Sequence, residues 1–194
     1  MSVQNPDSKT GDIFDKRKVY LVPLIQPSPQ APEGFAERFK AYWDAVDKQI
    51  SGLEVKAGIV NRIFVEGVVG RGDDASLMLE RANPEAYRIM KPRIDAGALF
   101  DEFEDQELFG ELVDWGRCLS LPFVSQKVAE TISQSYTNVA DKRRLHLESR
   151  ISDGILDSEA VLLLSGASDI KFPDDVERFV VAPPELDQLE RWVR

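Results

Sequence analysis

Glu104, Glu107, Glu111 and Asp114 stand three, four and three residues apart. On a helix this spacing places four carboxylates in one stripe. Like charges so placed repel, so the row needs cations, basic side chains or a partner to neutralise it. Read as chemistry, it is a divalent-cation site. Mg²⁺ or Mn²⁺ takes oxygen ligands and often combines carboxylates with substrate phosphates. Read as structure, it is an acidic solvated face beside the apolar face of Leu108, Leu112 and Trp115.

A second row follows. Val128, Ile132, Tyr136 and Val139 recur at helical spacing, and Arg143, His146 and Arg150 continue the same face. Arginine on the extension of an apolar face is normally paired with carboxylate or phosphate, because its guanidinium donates two parallel hydrogen bonds. One reading pairs it with the acidic row. The other makes a pocket in which Tyr136, Arg143 and Arg150 hold an anionic ligand. His146, the single histidine, then moves a proton as the catalytic group.

The acidic row resembles the paired Glu-x-x-Glu and Glu-x-x-Asp motifs of all-α nucleoside-triphosphate pyrophosphohydrolases. In that family the two pairs stand on separate helices. Here only Leu108-Phe109-Gly110 lies between them, and both ends of the chain read as strand-rich, so no residue role is carried over.

Glycines mark a further candidate. Gly67-Val68-Val69-Gly70-Arg71-Gly72 lies where a strand pattern gives way to a helix pattern. Such a turn lets a phosphate approach a helix amino terminus, although neither the dinucleotide fingerprint nor the P-loop is spelled here. Ser165-Gly166 follows a later strand pattern. Ligands collect at the carboxyl ends of parallel strands, so Gly70, Arg71, Gly72, Ser165 and Gly166 form a second candidate ligand pocket. Glycine-x-Ser-x-glycine is absent, which removes the usual serine nucleophile.

The elements that must position these residues follow from periodicity. Residues 1–17 are polar and aperiodic, the pattern of a flexible tail. Val19 to Ile25 has strand length, with Pro23 suited to an edge or a strand end. Phe35, Phe39, Tyr42, Trp43, Val46 and Ile50 mark an amphipathic helix. A strand spans Ile59 to Val69, then a helical stretch broken near Asn83-Pro84. Further helices are expected over residues 99–119 and 125–151, the latter ended by Gly154 in a left-handed cap. Ala160 to Leu164 is continuously apolar, as a strand covered on both faces should be. Val176 to Val181 and a last helix with Leu186, Leu189, Trp192 and Val193 close the chain. The expectation is one α/β domain over 18–194. Its small mixed or parallel sheet of about four strands is flanked by helices, with a helical segment near 73–154 inserted between the second and third strands.

Charge narrows the function. With 34 acidic and 24 basic side chains the formal charge is −10. That balance argues against nucleic acid and anionic lipid, where phosphate neutralisation supplies most of the affinity. One cysteine, Cys118, excludes an intramolecular disulfide. No apolar run has the length of a membrane span, and the first 18 residues lack a signal-peptide core, so a soluble cytoplasmic protein is expected. The reading is a binding domain for a small anionic ligand or a basic protein partner, with self-association through the last helix as an option. The alternative is a metal-dependent phosphoester or nucleotide hydrolase. It would hold Mg²⁺ or Mn²⁺ on Glu104, Glu107, Glu111 and Asp114, with Arg143 and Arg150 on the phosphate.

Overall fold

The computed structural model describes residues 16–28, 30–167 and 169–193, the side chains of Trp192 and Val193 lying outside the described residues. The expected tail lies outside them as far as residue 15, and Arg17 already belongs to a strand. The elements run β1 (Arg17–Pro23), α1 (Phe35–Ala57), β2 (Val60–Val65), α2 (Gly72–Ala82), α3 (Pro84–Asp95) and β3 (Leu99–Phe100). They continue as α4 (Gln106–Leu119), α5 (Gln126–Gly154), β4 (Ala160–Ser165), β5 (Val176–Val180) and α6 (Pro184–Val193). The fold is α/β, with one five-stranded sheet of order β3-β2-β4-β1-β5 and every pairing parallel.

Strand alternation distributes the core over two faces. Tyr20, Val22, Ile63, Val65, Leu162 and Leu164 face α1, α2, α3 and α6, where Trp43, Val46, Ile50, Leu79, Ile89 and Leu189 are buried. Val19, Phe64, Val161 and Leu163 face the other way, onto Leu147 and Ile151 of α5 and onto Phe103 and Ile170. All six residues of β4 are buried, as a central strand covered on both faces requires. Pro23 ends β1, where its missing N–H costs the ladder nothing.

Four boundaries differ from the sequence expectation. The sheet has five strands rather than about four, because Leu99–Phe100 pairs with Arg62 and Ile63 at the edge of β2. The expected helix over residues 99–119 therefore begins only at Gln106, where the Asp105 carboxylate accepts from the Leu108 N–H at 2.9 Å. The second strand stops at Val65 rather than Val69. Gly67 and Gly70 turn the chain away with φ of 79° and 88°, values that favour glycine. Gly154 is helical rather than a left-handed cap, and its reason is space: a Cβ there would lie 3.1 Å from Phe64 Cζ. Among the described residues, no helix is long and apolar enough to cross a membrane.

Candidate functional site

The chain leaves β1 towards one face of the sheet, through α1, and leaves β4 towards the other, through Ala167 and Ile170. Between two such neighbouring strands the carboxyl edge opens a crevice, the usual ligand position in open parallel sheets. A cleft of about 300 Å³ lies there. Leu24 and Gln26 line it from beyond β1, Glu66 and Gly67 from beyond β2, and Gly166 from beyond β4. Phe109 and Leu112 of α4 and Arg143 of α5 close it.

Its polar wall is built around Arg143. The guanidinium donates through Nε to Glu104 Oε2 at 2.8 Å and through Nη2 to Glu66 Oε1 at 2.9 Å. Nη2 also donates to Glu104 Oε1, completing a two-pronged pair. Nη1 carries no bond to a described residue. Glu104 is fully buried and also accepts the Gly67 N–H at 2.8 Å. Glu66 Oε2 accepts from the Ser165 hydroxyl at 2.7 Å and from the N–H groups of Gly166 and Ala167 at 2.8 and 3.0 Å. The Phe109 ring lies 5.8 Å from the guanidinium carbon of Arg143, within cation–π range.

These contacts set the charge states. Burial pushes the Glu66 carboxyl up, but the hydrogen bonds from Ser165 and Arg143, the Arg143 charge and the Gly166 N–H outweigh it. The group is held below the ordinary carboxylate range. Burial works against the charged form of Arg143, while Glu104 first and Glu66 second overcome it and hold the guanidinium above its usual range. The network thus sets two acidic side chains, Glu66 on the cleft wall and Glu104 sealed behind it, against one guanidinium.

The residues singled out from sequence divide sharply. Glu104, Arg143, Ser165 and Gly166 come together in this network. Glu107, Glu111 and Asp114 are exposed on α4, and Asp114 is bonded to Arg117 at 3.0 Å. The four-carboxylate stripe therefore does not form: Glu104 precedes the helix that carries the other three. Among the described residues no three His, Cys, Asp or Glu side chains group to hold a metal ion. Arg150 stands apart from the cleft, donating to the Glu102 carbonyl at 2.9 Å and to Asp101 at 3.1 Å, with Phe64 beneath it. Tyr136 packs between α4 and α5, its ring 3.6 Å from where a Gly116 Cβ would stand. The His146 Nε2 is buried without a hydrogen-bond partner among the described residues. Gly70, Arg71 and Gly72 lead into α2 and do not line the cleft.

Glu66 was not singled out in the sequence, although it is the hub of the β4 side of the cleft. A strand pattern read from Ile59 to Val69 places Glu66 inside the strand, and only the turn after Val65 puts it at the carboxyl edge of the sheet. Leu24, Gln26, Phe109 and Leu112 had no sequence signal, since their neighbours come from other elements. No protein-family model, curated protein or solved structure matches this chain.

Proposed function

We propose that this chain is a soluble cytoplasmic binding domain whose carboxyl-edge cleft receives a basic side chain from a protein partner. The observation that carries the reading is the excess of acidic over basic side chains in the Glu66–Arg143–Glu104 network, set beside a cleft with apolar walls. Leu24, Phe109 and Leu112 suit the aliphatic stem of lysine or arginine, whose cationic head then lies by Glu66. Arg143 Nη1, unbonded to any described residue, has two N–H groups to donate to a carbonyl oxygen of the partner's backbone. A volume of about 300 Å³ is the lower end of ligand pockets and suits one side chain better than a nucleotide. The overall charge of −10 steers a basic surface towards the same molecule.

An anionic ligand is the weaker reading. It would meet Glu66 while the Arg143 fork is already engaged, and Arg150 is turned to Asp101 and the Glu102 carbonyl. No observation favours the hydrolase reading, because the carboxylates it needs are dispersed.

Backbone amide shifts on titration with short lysine or arginine peptides, against matched glutamate peptides, test the proposal. Shifts at Gly67, Phe109 and Gly166 are expected with the basic peptides only, and Leu112→Trp, which fills the cleft, should remove them. Equal shifts with the glutamate peptides, or none with either at millimolar concentration, defeat it.

A further inference from the structure

The cleft beyond β1, β2 and β4 distinguishes one basic side chain from the other by the acceptors it leaves open. Each carboxylate oxygen has two lone pairs, so the capacity of Glu66 can be counted bond by bond. Oε2 already accepts from the Ser165 hydroxyl at 2.7 Å and from the Gly166 and Ala167 N–H groups at 2.8 and 3.0 Å. Oε1 accepts from Arg143 Nη2 at 2.9 Å and from no other described residue. One lone pair on Oε1 therefore remains for a partner. Glu104 adds nothing, being fully buried and bonded to Arg143 and to the Gly67 N–H. Among the residues that line the cleft, the other side-chain acceptor is the amide of Gln26, exposed and without a hydrogen bond to a described residue.

Arginine and lysine ask different things of such a site. A guanidinium is planar and pairs best with both oxygens of one carboxylate, through two parallel bonds. Glu66 cannot offer two, because residues 165–167 fill its second oxygen. An ammonium is a compact charge with three N–H groups on a flexible stem, so separate single acceptors suit it. Charges elsewhere on the surface act on both cations alike and do not decide between them. A methylated ammonium needs aromatic faces in place of acceptors. Phe109 is the one ring lining the cleft, and the Arg143 guanidinium already lies over it at 5.8 Å.

We propose that the cleft selects unmodified lysine over arginine, with Glu66 Oε1 and the Gln26 side-chain carbonyl as the acceptors that determine the choice. This selection rests on the cation-binding cleft proposed above and names which cation it takes. The full chain is titrated at neutral pH with acetyl-Gly-Lys-Gly-amide and with its arginine, Nε-acetyl-lysine and Nε-trimethyl-lysine counterparts. Amide shifts of Gly67, Phe109 and Gly166 report binding. Lysine should bind about tenfold more tightly than arginine or trimethyl-lysine, the worth of one charge-assisted hydrogen bond, and acetyl-lysine should give no shifts. Gln26→Leu, at an exposed position, should weaken lysine binding by about fivefold and leave arginine binding and the circular dichroism unchanged. Arginine or trimethyl-lysine binding as tightly as lysine overturns the selection and leaves the cationic cleft standing. So does a Gln26→Leu chain that keeps the full preference. Shifts with none of the peptides overturn both.

Discussion

The two halves of α5 carry the same apolar rhythm and meet opposite surroundings. Over 29 residues, about 43 Å of helix, Val128, Ile132 and Tyr136 in the first half remain exposed or half-buried. From the middle onward Val139, Leu147 and Ile151 are buried, and Arg143 is buried enough to need two carboxylates. The second half lies on the sheet; the first half has only α4 beside it. Amphipathic spacing therefore states that a face wants cover, and the neighbouring element decides whether it gets any. The acidic residues divide the same way. Glu104 is sealed against Arg143, whereas Asp114, ten residues on, is 76% exposed and bonded to the equally exposed Arg117.

The largest effect should come from breaking the buried side of that contrast. Glu104→Ala leaves the Arg143 charge short of its main partner, and losing one member of a buried pair costs about 3–5 kcal/mol. Asp114→Ala removes a solvated pair and should change stability by less than about 0.5 kcal/mol. Urea unfolding of both variants measures the difference. Equal, small losses would mean that the Arg143 network is not what holds the 101–104 segment to α5.

A smaller gap is expected within α5 itself. Leu147→Ala empties a fully buried site between helix and sheet and should cost about 2–5 kcal/mol. Val128→Ala, in the uncovered half, should cost less than about 0.5 kcal/mol at concentrations where the chain is monomeric. A sharp rise in the second value at high concentration would place Val128 in a contact between copies.

Acid sharpens the comparison with the gentlest effect. The Glu66 and Asp101 carboxyls are both held low in the folded chain. Burial pushes each up, but hydrogen bonds and arginine charge prevail: Ser165 and Arg143 for Glu66, the Glu102 N–H with Arg62 and Arg150 for Asp101. A carboxyl depressed by folding contributes stability above its unfolded value, about 4.3 for glutamate and about 3.9 for aspartate, and that contribution fades as pH falls through the folded value. The thermal midpoint should be flat from neutrality to about pH 5 and drop below about pH 4. Glu66→Gln should lower the neutral-pH midpoint and flatten the acid decline. A decline as steep as wild type would assign acid sensitivity elsewhere.

Much of the fold was legible because it depends on local pattern. The continuous apolar run Ala160 to Leu164 marked a strand buried on both faces, and it is the centre of the sheet. Asn83-Pro84 marked the break between α2 and α3. There the Asn83 side chain accepts the Ala86 N–H at 3.1 Å and also donates to the Ile25 carbonyl at 2.8 Å. β3 was missed because two residues carry no periodicity; their strand character comes from β2 alongside. The acidic row was misplaced on one helix for a related reason. Asp105 caps α4, and a carboxylate spacing of three reads the same across a cap as within a helix.

By itself, the sequence determined the α/β class, the acidic surface and the positions of most helices and strands. Those properties arise from composition and from spacing between near neighbours. Only the tertiary structure decided which charges belong together. Glu66, Glu104, Arg143 and Ser165 are separated by 38, 39 and 22 positions in the chain and meet because β2 and β4 end at one edge of the sheet and α5 crosses that edge at Arg143. Burial there makes each lone charge costly and each pairing obligatory, a condition that no local stretch of residues can express.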